Sequence, residues 1–127
     1  MIQGANVQGT TRTILRNDAM SLPSDTSRPA GSGEGFRPHE LLEGALASCI
    51  GITLRMVATQ RGLSLQGVRV PVELDRAQDR TVFRTRIELD GPLSERDRAM
   101  LQEAARRCPV RKTLSKPLVF EEGAPCP

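Results

Sequence analysis

From Leu41 to Ala58 almost every residue is apolar or small: Leu41, Leu42, Ala45, Leu46, Ala47, Cys49, Ile50, Ile52, Leu54, Met56 and Val57. No polar stripe interrupts this run before Arg55 and the Thr59-Gln60-Arg61 end. Pro38 fits a first helical turn, where its missing N–H is not needed. Glu40 and Glu43 favour the positive end of a helix, and Gly62 sits where a helix would stop. The pattern predicts one long helix, apolar on nearly all sides, which other structure has to cover. In 127 residues that leaves a central helix wrapped by sheet, or a helix packed across a dimer interface. A chain this size buries only about two-thirds of its unfolded surface, so dimerisation would help it. Gly44 and Gly51 weaken the helix by roughly 1 kcal/mol each relative to Ala and leave room for a neighbouring backbone to approach.

The remaining elements follow from shorter patterns. Residues 5–16 are Thr-rich with sparse apolar positions, as in a short strand pair or edge hairpin. From Asn17 to Arg37, Ser, Asp, Pro and Gly dominate, which predicts a long loop; loops of that length are often functional. Val68, Val70, Val72 and Leu74 alternate with polar or small residues, and Phe83, Thr85, Ile87 and Leu89 repeat the alternation. The polar Ala77–Arg80 link makes these an antiparallel hairpin. Ser94 caps a helix to about Arg107, with Asp97 closing a variant capping box. A short helix from Cys108-Pro109-Val110 to Ser115 follows, then an edge strand over Lys116–Phe120 and a tail from Glu121 to Pro127. The order β–loop–α–β–β–α–α–β predicts a single α+β domain over residues 1–127.

Composition removes several function classes. There is no Trp or Tyr and only three Phe, too few rings for the stacking platforms of an RNA or single-strand binder. The net charge of +3 comes almost entirely from arginines, all basic residues but Lys112 and Lys116. They alternate with acids, as in Glu95-Arg96-Asp97-Arg98, and do not collect on one nucleic-acid face. The longest nearly uncharged stretch, Gly44–Leu54, is short of the roughly 20 residues a bilayer crossing needs. The N-terminal residues lack the basic start and apolar core of a secretory signal, and three cysteines do not make a disulfide framework. The expectation is a cytoplasmic protein that binds neither nucleic acid nor membrane.

Cysteines in that compartment are buried filler, metal ligands or reactive thiols. Cys49 lies mid-helix, where a thiol commonly packs as a small hydrophobe. Cys108 precedes Pro109 at a helix start, where the dipole and the neighbouring Arg106, Arg107, Arg111 and Lys112 are expected to lower its pKa. A capping role is the plainer alternative. Cys126 sits in the Pro-flanked tail. His39, the one histidine, reads as a surface residue at a helix start or as a proton shuttle. With no short-spaced His and Cys pairs, a zinc site is not expected.

The segment Gly35-Phe36-Arg37-Pro38-His39-Glu40-Leu41-Leu42-Glu43-Gly44-Ala45-Leu46-Ala47-Ser48-Cys49 resembles the helix motif of the OsmC/Ohr superfamily, the osmotically inducible and organic hydroperoxide resistance proteins. Cys108-Pro109-Val110-Arg111-Lys112-Thr113-Leu114 is similar to its second cysteine motif. The resemblance spans about residues 35–120. It implies an OsmC-like fold, with a long buried central helix wrapped by antiparallel sheets, in an intertwined homodimer whose two active sites each draw on both chains. It also implies a peroxidase with no metal or cofactor that prefers organic hydroperoxides. Cys49 would become a sulfenic acid, Cys108 would close a disulfide with it, and a dithiol reductant, in one branch a lipoyl group on a carrier protein, would reopen it. A positive partner for Cys49, held by a Glu at the helix start, is part of the pattern. His39 occupies the place of that Glu in one branch, and Glu40 matches its place in the OsmC-like branches. Arg12, Arg16, Arg28 and Arg37 are candidates for the cation, with Arg28 favoured because it lies in the long loop. A non-catalytic ligand-binding or redox-sensing dimer on the same scaffold is the alternative, since fold alone does not fix function.

Overall fold

The computed structural model describes residues 1–124. It is an α+β structure of two compact units, Met1–Ala45 with Val72–Arg84 and Leu46–Pro71 with Thr85–Pro127. Cys126 lies outside the described residues.

In the first unit, β1 (Gln3–Asn6), β2 (Thr13–Arg16) and β3 (Ser21–Ser24) form an antiparallel sheet in that order. The expected N-terminal hairpin is present, and the predicted loop Asn17–Arg37 yields a third strand at its start. Ser21–Ser24 has little strand propensity of its own and is extended by pairing with β2, Leu15 opposite Leu22. Pro23 is tolerated because β3 lies at the sheet edge.

The buried residues of this unit are polar: Ser24 and Asp25. The Asp25 carboxylate accepts from Thr11 Oγ1 (2.5 Å), Ser32 Oγ (2.6 Å), Ser32 N (3.0 Å) and Thr26 N (2.8 Å), and so organises the loop. A Cβ on Gly31 would stand 2.6 Å from Asp25 Oδ1 and 2.5 Å from the Thr26 carbonyl, so the loop closes there only around glycine. The bonds from Ser32 and Thr11 hold the Asp25 carboxyl well below the usual carboxylate range. A carboxyl depressed in the fold stabilises it above its unfolded pKa of about 4 and loses that contribution as pH falls. Asp25→Asn is therefore expected to lower the melting temperature at pH 7 and to flatten its decline below about pH 4. Thermal melts across that range check this; parallel profiles for variant and wild type would contradict it.

Helix α1 (Pro38–Arg61) begins in this unit and continues into the second. It ends as expected at Gly62, φ +63°, with the Leu63 N–H donating to the Ala58 carbonyl. By length and composition α1, with a mean hydropathy of 1.5, could span a membrane. The uncharged-stretch argument from the sequence therefore does not exclude that. Its inward stripe Leu46, Ile50, Leu54 and Ala58 is buried as in a core helix. Ile52 and Met56, 61% and 57% exposed, carry the rest of its apolar surface outside the single chain.

The expected hairpin divides where Pro71 removes a ladder donor. β4 (Gly67–Arg69) pairs with β7 (Glu88–Asp90) in the second unit. β5 (Val72–Arg76) pairs with β6 (Thr81–Thr85). The Pro71 carbonyl still accepts from Arg86 N–H at 3.0 Å. Helix α2 (Glu95–Ala105) starts at Ser94, and the Ser94–Asp97 capping box forms as the sequence predicts. Helix α3 (Pro109–Leu114) follows. With α1, α2 and Cys108 they bury one apolar cluster, in which Leu54, Leu101 and Cys108 are fully inaccessible. The predicted strand Lys116–Phe120 does not form; it has no strand neighbour among the described residues, and Leu118, Val119 and Phe120 are exposed.

Candidate active site

The second unit brings together two cysteines far apart in sequence. Cys49, half-buried on α1, meets Cys108 in a side-chain hydrogen bond, and both are free thiols. Cys108 is fully buried and caps α3: its Sγ accepts the Arg111 N–H at 3.4 Å, and Pro109 takes the first helical position. The capping expectation for Cys108 is therefore met.

The expected direction of its pKa is reversed. Burial pushes the Cys108 thiol above its ordinary value, and the neighbouring Cys49 pushes it further the same way. The Arg111 N–H and guanidinium oppose this and lose. A six-residue helix supplies a weak local field, whereas desolvation acts on the whole thiolate charge. The pair is thus asymmetric: Cys49 is half-buried and Cys108 is fully buried.

In the first unit, Glu40 reaches back over the start of α1. Its Oε2 accepts the Arg37 N–H at 2.8 Å, the carboxylate half of a capping box. Its Oε1 accepts from Arg37 Nη2 at 2.6 Å and Nε at 2.9 Å. These bonds lower the Glu40 pKa and raise that of Arg37. Glu40 therefore caps the start of its own helix and pairs with Arg37, one of the four candidate arginines. Arg28 instead donates through Nε to the Ser32 carbonyl at 2.7 Å within its own loop. The spacing of three residues between Arg37 and Glu40 puts both on one side of a helical turn. His39 is exposed, and Arg76 Nη1 lies 3.4 Å from its Nε2. Glu43 Oε1 accepts the Leu74 N–H at 2.7 Å.

A long helix carrying one accessible cysteine against a buried second cysteine at a short helix start defines a two-cysteine thiol protein on an α+β scaffold. The chain belongs to the OsmC-like protein family, whose model matches residues 31–122. Solved structures share the fold at low identity. A Psychrobacter arcticus protein described as an osmotic stress induced and detoxification response protein is 24% identical. It has a TM-score of 0.75, over 88% of this chain and 85% of that one. An OsmC-like protein from Mycoplasma pneumoniae is 21% identical, TM-score 0.75, over 90% and 85%. The organic hydroperoxide resistance protein OhrB of Bacillus subtilis is 19% identical, TM-score 0.58, over 91% and 90%. No curated protein matches the sequence.

Proposed function

We propose that the protein is a cytoplasmic, homodimeric thiol peroxidase that reduces organic hydroperoxides to alcohols in oxidative stress defence. The observation that carries this reading is the contact between half-buried Cys49 and buried Cys108. Family membership and the organic hydroperoxide resistance named for the Bacillus subtilis relative support it. Cys49 as thiolate attacks the terminal oxygen of ROOH; the O–O bond breaks, RO⁻ takes a proton and leaves as ROH, and Cys49 becomes a sulfenic acid. The Cys108 sulfur displaces water from that sulfenic acid and closes a disulfide. A dithiol, a lipoylated protein being one such donor, returns both thiols by exchange. Glu40, whose carboxylate holds the Arg37 guanidinium, is the residue that the family resemblance pairs with an activating cation.

The test is intact mass and free-thiol content of the reduced protein after one equivalent of cumene hydroperoxide. Wild type is expected to lose two thiols and two hydrogens, Cys108→Ser to give a trappable sulfenic acid, and Cys49→Ser not to react. Survival of both thiols in wild type would overturn the peroxidase reading in favour of a ligand-binding dimer.

A further inference from the structure

The first unit holds a cavity of about 350 Å³ walled by the start of α1, the loop after β3 and strand β5. Two of its wall residues, Glu43 and Arg76, carry opposite charges that no group of the protein neutralises. Glu43 is half-buried. Its Oε1 accepts the Leu74 N–H at 2.7 Å, and its other oxygen has no donor among the described residues. Arg76 is exposed, and its guanidinium has one polar neighbour among the described residues, His39 Nε2 at 3.4 Å. A neutral imidazole nitrogen accepts one N–H, so the other guanidinium donors stay open.

The ions close by are committed elsewhere. Arg37 gives its guanidinium to Glu40 at 2.6 Å and acts on Glu43 only through its charge. Asp75, beside Arg76 in the chain, holds Arg84 at 2.8 Å. Among the described residues neither Glu43 nor Arg76 takes part in an ion pair, with each other or with any other group. The backbone keeps them apart. Glu43 is tied to Leu74, and Arg76 follows two residues along β5, about 7 Å further on.

A charge partly withdrawn from water calls for a partner. Here the partner has to be positive at one end and negative at the other. A simple anion meets repulsion from Glu40 and Glu43, and a simple cation leaves Arg76 unmatched. A zwitterionic α-amino acid has both charges, and with a hydrogen bond of about 2.8 Å at each end it bridges about 8 Å. The cavity is larger than those two groups fill, and Pro38 and Leu74 give it apolar wall for a side chain. Ser27 adds a hydroxyl that bonds nothing else among the described residues.

We propose that this cavity binds a free α-amino acid with an apolar side chain, its ammonium on Glu43 and its carboxylate on Arg76. The site uses neither cysteine and does not depend on the peroxidase reading.

Three ligands separate the two ends. Leucine has both charges, leucinamide keeps the ammonium and lacks the carboxylate, and N-acetylleucine is the reverse. Isothermal titration calorimetry of the full chain is expected to show leucine binding at least about tenfold more tightly than either analogue, the factor ordinarily lost with one charged hydrogen bond. The location has its own readout, because His39 is the one histidine and lines the cavity. Its imidazole proton resonance is expected to shift over the same leucine concentrations that release heat. Glu43→Gln keeps an oxygen for the Leu74 N–H and removes the charge, so leucine should then bind no better than N-acetylleucine. In Arg76→Gln leucine should bind no better than leucinamide. No heat and no His39 shift with leucine up to about 10 mM would overturn the proposal. So would leucine binding that leaves the His39 resonance still, or a leucine preference kept in both variants. N-acetylleucine binding wild type as tightly as leucine would also overturn it and leave a plain anion site. The comparison of the three ligands on wild type decides the matter even if a variant fails to fold.

Discussion

Under excess cumene hydroperoxide, Cys108→Ser is expected to carry Cys49 past the sulfenic acid to the sulfinic acid, a gain of about 32 Da, whereas wild type halts at the disulfide. The difference arises because only a sulfur in contact with Cys49 can capture the sulfenic acid before a second peroxide does, and Cys108 is that sulfur. Serine is a fitting replacement, since it is a preferred helix N-cap and can accept the Arg111 N–H that Cys108 accepts now. The helix α3 start is thereby preserved, and the variant isolates the chemistry from the fold. Disulfide closure in wild type should also quicken with pH. Burial holds the Cys108 proton above the ordinary thiol range, so its thiolate fraction, and the closure rate, climb about tenfold per pH unit across neutrality. Stopped-flow mixing of pre-formed sulfenic acid at several pH values measures this. A flat profile, or a Cys108→Ser mass that stops where wild type stops, would remove Cys108 from the cycle.

The parts of this molecule that could be read from the sequence are those decided by nearest neighbours. Pro38 and Gly62 bound α1, and Ser94 with Asp97 starts α2, because capping involves residues within one turn. The motif pair around Cys49 and Cys108 led to the family for a similar reason, being carried by local strings. What failed depended on partners distant in sequence. Ser21–Ser24 is a strand only because β2 lies beside it, and Lys116–Phe120, strand-like in pattern, has no such neighbour. The Val68–Leu74 alternation runs unbroken through Pro71, where the ladder does not. The sign of the Cys108 shift was misread for the same reason. The helix dipole and flanking arginines are visible in sequence, but the burial that outweighs them is a property of the packed unit. Of the four candidate arginines, Arg37 bonds Glu40 and Arg28 bonds the Ser32 carbonyl within its own loop.

The exposed and buried faces of α1 predict two different failures. Leu54→Ala is expected to cost about 2–5 kcal/mol, because Leu54 is fully buried and its removal leaves a cavity that rigid neighbours fill only in part. In a domain of this size that lowers the melting temperature by about 7–20 °C. Two turns of the same helix present Ile52 and Met56 outward, and substitution of a surface residue in an isolated chain ordinarily changes stability by less than about 0.5 kcal/mol. If α1 packs against a second copy, as we propose, Ile52→Asp instead places a charge in an apolar contact that has no partner for it. Size-exclusion chromatography with light scattering should then show wild type and Leu54→Ala as dimers and Ile52→Asp as a monomer at micromolar concentration. An Ile52→Asp chain that elutes and melts like wild type would mean that this face of α1 meets water, and the homodimer would have to use another surface.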